Sequence, residues 1–208
     1  MRRAGILLPI TSLPSPWGIG TMGDAARNFI EFLSRSGQSF WQILPICPTG
    51  FGNSPYQSFS SYAGNPYLID LDDLCRDGLL CPEDYQTLNW GDTPDKVDYG
   101  LLYRQRFFVL RKAVGQLKKQ WPQKLEVFCQ TQRMWINDYA LFMTLKEQYG
   151  GISWYQWPDM LRCRDEKALD TALEEFSEEI EFWKGVQYLF YTQWNQMKEY
   201  AAQHNISI

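Results

Sequence analysis

Large apolar side chains in the first fifty positions fall into two short runs with a helical pattern between them. AGILLPI (4–10) and FWQILPI (40–46) are almost continuously apolar, which is the pattern of strands buried on both faces. Between them Ala25, Ala26, Phe29, Ile30, Phe32 and Leu33 recur at helical spacing, and Gly37 marks the stop. Thr21 stands where it can cap this helix, with Asp24 three residues on as a weak capping box. Strand, helix and strand of this kind predict a βαβ unit and a parallel sheet.

Beyond residue 70 the apolar spacing turns helical. It predicts helices over 103–120, about 124–148 and about 165–203. Pro122 separates the first two, because a helix rarely runs through a proline. Gly150 and Gly151 close the second. The third opens on Glu166, Asp170, Glu174 and Glu175 and carries Lys198 near its end, as the helix dipole favours. These charges read as a solvated helix face. Ile206, Ser207 and Ile208 read as the start of a further strand. The chain therefore reads as stopping short of its complete sheet, with sheet edges and an apolar face left exposed.

The segment between the two regions differs from both. From Ser36 to Ile69 there is no Asp, Glu, Lys or Arg. Within it, PTGFGNSPYQSFSSYAGNPY (48–67) is far longer than an ordinary βα loop of about 2–6 residues. Five aromatic side chains from Phe51 to Tyr67 argue against disorder. An uncharged loop rich in rings, amides and hydroxyls suits a neutral polar ligand. A packed structural loop is the competing expectation.

Composition narrows the chemistry. The 208 residues are 45% hydrophobic and 21% charged, enough to bury a sizeable core. A net charge of −4 and the lack of a Lys/Arg cluster argue against a nucleic-acid partner. No apolar stretch approaches a membrane span, and the apolar run at the N-terminus is too short for a signal peptide. Five cysteines, odd in number and without a CxxC spacing, fit a reducing compartment and predict neither a disulfide framework nor a zinc ribbon. The expected location is the cytoplasm. The single histidine, His204, makes a His-based triad or metal site a poor prospect and reads as a helix-end residue. No metal or organic cofactor is expected. Aromatic residues reach 16%, mostly for the core, with sugar stacking as the sharper use.

Two motifs are tempting. GIGTMG (18–23) matches G-x-G-x-x-G, but Thr11 to Trp17 separate it from the first strand, and the second strand lacks an acidic end. Dinucleotide binding is set aside, and no GK[ST] is present for a phosphate loop. Glycoside chemistry needs two carboxyl groups about the scissile bond. Asp70, Asp72 and Asp73 follow the long loop, but their position favours strand-end and helix-capping roles.

The same segments resemble a known family. GILLPITSLPSPWGIGTMGDAARNFIEFL and FWQILPICPTGFGNSPYQSFSSYAGNPYLIDL are similar to the N-terminus of the 4-α-glucanotransferases of glycoside hydrolase family 77. GNSPYQSFSSYAGNP is the most specific run, and DYGLLY (98–103) and WINDYALFMTLKEQYGGISWYQWP (135–158) add to it. The resemblance implies an α/β fold, a partial (β/α)8 barrel with a large, mainly helical insertion. Residues 1–70 would form the first two βα units and the substrate loop. Residues 71–208 would form the helical insertion and a return helix leading to the next strand. It also implies a retaining transfer of 1,4-α-glucan segments between maltodextrins, with the catalytic carboxylates beyond Ile208 and the fragment alone inactive. No catalytic residue is then assigned within the chain. Tyr56 matches the tyrosine that stacks under the sugar near the cleavage site, and Ser54 matches a hydroxyl contact there. Phe51 and Tyr103 match two aromatics of a remote glucan site, where relatives can have Tyr in place of Phe51. Pro9 stands where many members have His. The rival expectation is a non-catalytic carbohydrate-binding or helical interaction module.

Overall fold

The computed structural model describes residues 3–50, 52, 54–93 and 95–208. Two strands, β1 (Gly5–Leu7) and β2 (Phe40–Gln42), pair in parallel with Ile6 opposite Trp41. Helix α1 (Asp24–Arg35) connects them, so the predicted βαβ unit is present. Helices α2 (Leu71–Arg76), α3 (Tyr99–Gln120), α4 (Pro122–Thr131), α5 (Ile136–Gln148), α6 (Asp159–Arg162), α7 (Glu166–Glu175) and α8 (Ser177–Gln203) make up most of the rest. The architecture is a mainly helical α/β one. Among the described residues, no helix is long and apolar enough to cross a membrane.

Both strands are shorter and more open than their sequence predicts. Leu7 is 54% exposed, and in β2 only Trp41 is buried. Prolines explain the length. Pro9 precedes a 3-10 turn at Ile10–Ser12, and Pro45 follows β2 by three residues, and neither can donate to a ladder. The predicted strand start at 206–208 appears as a single parallel bridge. The Trp41 amide donates to the Ser207 carbonyl at 2.9 Å, and the Ser207 amide donates to the Ser39 carbonyl at 3.0 Å.

Helix α1 buries Ala26, Ile30 and Leu33, and Phe29 meets Trp41 edge-on at 5.1 Å. Gly37 ends it as expected, with the Gln38 amide reaching back to the Leu33 carbonyl at 2.9 Å. Its start differs from expectation. Gly23 occupies the cap without a side-chain bond, and Thr21 instead donates to Asp70 Oδ2 at 2.6 Å. Thr21 lies two residues ahead of that cap, and its hydroxyl proton goes to a long-range carboxylate.

The acids after the loop are structural, as their position suggested. Asp70 caps α2 by accepting from the Asp73 amide. Its own backbone is gripped by Gln193 of α8, amide to Oε1 at 2.7 Å and Nε2 to carbonyl at 3.0 Å. Burial pushes the Asp70 carboxyl above the usual range, against the Thr21 and Asp73 hydrogen bonds. Asp72 accepts from the Trp17 indole at 2.8 Å and the Tyr85 hydroxyl at 2.7 Å. Asp73 and Asp24 share Arg27 and Arg76 in a four-membered ion network.

Three helix boundaries move. Asp98 caps α3 by accepting from the Leu101 amide at 2.9 Å, which starts the helix four residues early. The predicted 124–148 helix breaks at Gln132–Trp135, where the Trp135 indole bonds the Gln132 side chain at 2.8 Å. The 165–203 helix breaks at Phe176. There Glu174 and Glu178, and Glu175 and Glu179, are like charges four apart, a spacing that disfavours a continuous helix.

The chain forms two compact units. One comprises residues 1–116 and 189–208, the other residues 117–188. The first unit's core includes Met22, Ile30, Trp41, Ile69, Leu102, Leu110 and Phe190. The second's includes Ile136, Ala140, Trp183 and Val186. Helices α3 and α8 contribute residues to both.

GIGTMG serves packing in the first unit. A Cβ on Gly20 would lie 2.1 Å from the Ile10 carbonyl oxygen and 2.8 Å from two backbone atoms of Leu13. Backbone cannot yield as a flexible side chain does. Gly20→Ala is expected to lower stability by roughly 2–3 kcal/mol. Urea denaturation measures this, and an unchanged midpoint would show that the 10–20 turn is pliable.

Candidate functional site

The segments that leave β1 and β2 come together around a cavity of about 110 Å3. Pro9, Ile10 and Thr11 come from the first strand's exit, and Leu44, Pro45 and Ile46 from the second's. Thr49, Pro55, Asn65, Tyr67 and Tyr99 complete the wall together with Ile19 and Leu68. No ionisable carboxyl, amine or guanidinium lines it. Burial pushes the Tyr67 phenol up to about 12 and raises that of Tyr99, so both hydroxyls remain protonated and able to donate at neutral pH.

The long loop is ordered by its own backbone. Thr49 and Ser58 form an antiparallel bridge, and the Gly50 amide donates to the Gln57 carbonyl at 2.7 Å. The Gln57 amide closes a turn onto the Ser54 carbonyl at 3.2 Å, and the Tyr56 amide donates to the Ser54 hydroxyl at 3.3 Å. Ser54 and Tyr56 therefore sit together at one turn. The Ser54 oxygen accepts locally and keeps its proton for another partner. Tyr56 is 73% exposed. At the loop's base the Asn65 amide donates to the Ile46 carbonyl, and its side chain accepts from the Tyr67 amide at 3.0 Å. The Tyr191 hydroxyl donates to the Tyr62 carbonyl.

Tyr103 belongs to a different element. It lies on α3, 53% exposed, with its ring 5.1 Å from Phe107. Phe107 approaches Tyr67 at 6.1 Å, and Tyr67 approaches Tyr99 at 6.2 Å. A run of rings thus joins Tyr103 to the cavity wall. Phe51 lies outside the described residues.

Sequence reasoning did not single out Tyr67, Tyr99 or Asn65 as wall residues. It also missed an open groove of about 780 Å3 between the 11–20 turn and the 90–99 segment, which shares Thr11, Ile19 and Tyr99 with the cavity. The available signal was the pair of tryptophans beside the turns, since Trp17 and Trp90 pack at 6.4 Å.

The arrangement offers recognition more than bond cleavage. Burial raises the Cys47 thiol, so it stays protonated and a weak nucleophile. His204 closes α8, its ring 4.3 Å from Tyr200 and Nδ1 2.8 Å from the Tyr200 carbonyl. Among the described residues, no group of three or more His, Cys, Asp or Glu side chains could hold a metal ion.

Comparison with known proteins identifies the family. The family model described as 4-alpha-glucanotransferase matches residues 8–208. A 4-alpha-glucanotransferase of Thermus thermophilus is 45% identical over 211 residues, covering 100% of this chain and 41% of that protein. One of Clostridium butyricum is 42% identical over 199 residues, covering 96% of this chain and 41% of its own length. The solved amylomaltase of Streptococcus agalactiae in complex with acarbose superposes with a TM-score of 0.96 at 43% identity, over 100% of this chain and 42% of that one. The amylomaltase of Corynebacterium glutamicum, at 20% identity and a TM-score of 0.68, shares the fold. The chain spans about two fifths of the length of the curated relatives it matches. With a family model matched along nearly its whole length, the chain belongs to the 4-alpha-glucanotransferases, glycoside hydrolase family 77.

Proposed function

We propose that the chain is the N-terminal portion of a 4-α-glucanotransferase that moves 1,4-α-glucan segments between maltodextrins by a retaining double displacement. The observation that carries this reading is the charge-free cavity at the strand exits, next to a loop that presents Tyr56 beside the Ser54 hydroxyl. A pyranose offers apolar C–H faces and a rim of hydroxyls. An exposed ring takes the face, and protonated tyrosines, Ser54 and backbone amides take the rim. The similarity to an amylomaltase solved with acarbose supports the ligand class.

In this proposal residues 1–70 supply the first two βα units of a (β/α)8 barrel, and residues 71–208 supply a helical insertion and the return to the next strand. The Ser207 bridge beside β2 supports the return. A closed barrel typically takes about 250 residues, more than the 208 here. The chain binds and orients glucan through Ser54, Tyr56 and Tyr103, with Phe51 as a fourth contact. The two carboxyl groups that double displacement requires lie outside it. No organic cofactor or metal takes part, and the reaction runs in the cytoplasm.

Maltotriose disproportionation tests the assignment. A longer protein containing these residues should release glucose and build longer maltodextrins. The 208 residues alone should do neither. Turnover by these residues alone would place the acids within them, and no transfer by the longer protein would remove the transferase reading.

A further inference from the structure

We propose that Trp154 and Tyr155 form a surface glucan-binding site in the second compact unit. The site rests on the glucan reading of the chain's substrate.

Most large rings of this unit are buried or packed, but these two are not. Trp154 is 53% exposed and Tyr155 64%, at consecutive positions of a 3-10 turn, Trp154–Gln156. Their centroids are 6.3 Å apart and their planes meet at 76°. Two non-parallel platforms suit a curved α-1,4-linked chain, whose successive residues turn. Among the described residues, neither the Trp154 indole nitrogen nor the Tyr155 hydroxyl has a protein hydrogen-bond partner, which leaves both polar handles for a ligand.

The turn is fixed from beneath. Gly150 and Gly151 both adopt positive φ, 64° and 79°, a path that side-chain-bearing residues rarely take. The Gly151 amide donates to the Lys146 carbonyl at 2.7 Å, and Lys146 Nζ donates to the Gly151 carbonyl at 2.8 Å. Trp157, buried, anchors the far side against Phe142 at 5.4 Å and Tyr149 at 5.9 Å. The rings are thus displayed on a rigid support, which limits the entropy lost when a ligand orders them.

Charge points to the occupant. No Asp, Glu, Lys or Arg occurs from Gln148 to Pro158, although charged side chains are dense on both flanks. Ser153 and Gln156 bracket the ring pair with a hydroxyl and an amide. The same chemistry, rings among uncharged hydrogen-bonding groups, marks the 48–67 loop. The Lys146 ammonium at the turn is engaged by the Gly151 and Ile152 carbonyls, and a neutral oligosaccharide finds both a stacking face and rim partners.

Affinity electrophoresis of the 208-residue chain through gels containing soluble amylose, with maltoheptaose titration by calorimetry, tests the site. Replacing both rings (Trp154→Ala with Tyr155→Ala) should weaken amylose binding about tenfold and leave the helical circular dichroism unchanged. Tyr56→Ala should leave a residual retardation that the ring-pair change then removes. Unchanged retardation in the ring-pair variant overturns the surface site, while binding lost through Tyr56→Ala keeps the glucan reading. No binding by the starting chain or any variant overturns both. A sedimentation-detected dimer that disappears with Trp154→Ala assigns the patch to self-association and also overturns the proposal.

Discussion

Arg106→Ala is expected to destabilise the chain by roughly 3–5 kcal/mol, read from urea or thermal unfolding. Arg106 is fully buried in α3. Its guanidinium donates to the Ile69 carbonyl at 2.9 Å and the Trp17 carbonyl at 3.0 Å, and its carbon lies 5.2 Å from the Trp90 ring centroid. Burial pushes its pKa down to about 10, so it is still charged at neutral pH. No carboxylate forms an ion pair with it among the described residues. The two carbonyls, the indole face and the electrostatic attraction of Asp70 offset the desolvation. Truncation removes both donors, strands the buried Ile69 carbonyl and the half-buried Trp17 carbonyl, and opens a cavity. Arg106→Lys should recover only part of the loss, because one compact ammonium lacks the fork that spans two carbonyls. A loss under about 1 kcal/mol would mean that water replaces the guanidinium freely.

Tyr56→Ala has the largest expected effect on activity. In a longer protein that contains this chain, kcat/KM for maltotriose disproportionation should fall about 10- to 100-fold, the equivalent of one lost stacking ring and its contacts. Tyr56→Phe should retain most of the activity if the ring face is what matters. Stability should change by less than about 0.5 kcal/mol, since the side chain is largely exposed. Unaltered kinetics for the alanine variant would take Tyr56 out of the site. A parallel loss of stability would make it a structural residue instead.

The sequence made the βαβ start legible because hydrophobic pattern and turn chemistry agreed there. Ala26, Ile30 and Leu33 face the core as their spacing predicts, and Gly37 stops the helix. It misjudged what long-range partners decide. Thr21 looks like a cap, but Asp70, forty-nine residues on, takes its hydroxyl. The strands look longer because apolar runs do not register that Pro9 and Pro45 lack donors. Ser54 and Tyr56 share a turn because they stand two apart in one motif, and their contact with glucan belongs to the proposed function. Tyr67 and Tyr99 were not legible as a cavity wall, because nothing local announces that a residue before α2 and one opening α3 converge. Asp98 offers a readable cap signal for α3, five residues ahead of the start at 103 that the apolar spacing predicts.

The first unit is discontinuous in sequence, and that has a consequence for biosynthesis. A ribosome delivers residues 117–188 before residues 189–208. The second unit can therefore complete its core while the first still lacks Phe190, the Gln193 grip on Asp70 and the Ser207 bridge. Domains tend to fold as units during synthesis. The nascent chain should thus complete residues 117–188 first, and the 48–67 loop should gain the Tyr191 hydrogen bond to the Tyr62 carbonyl only when residues 189–208 emerge.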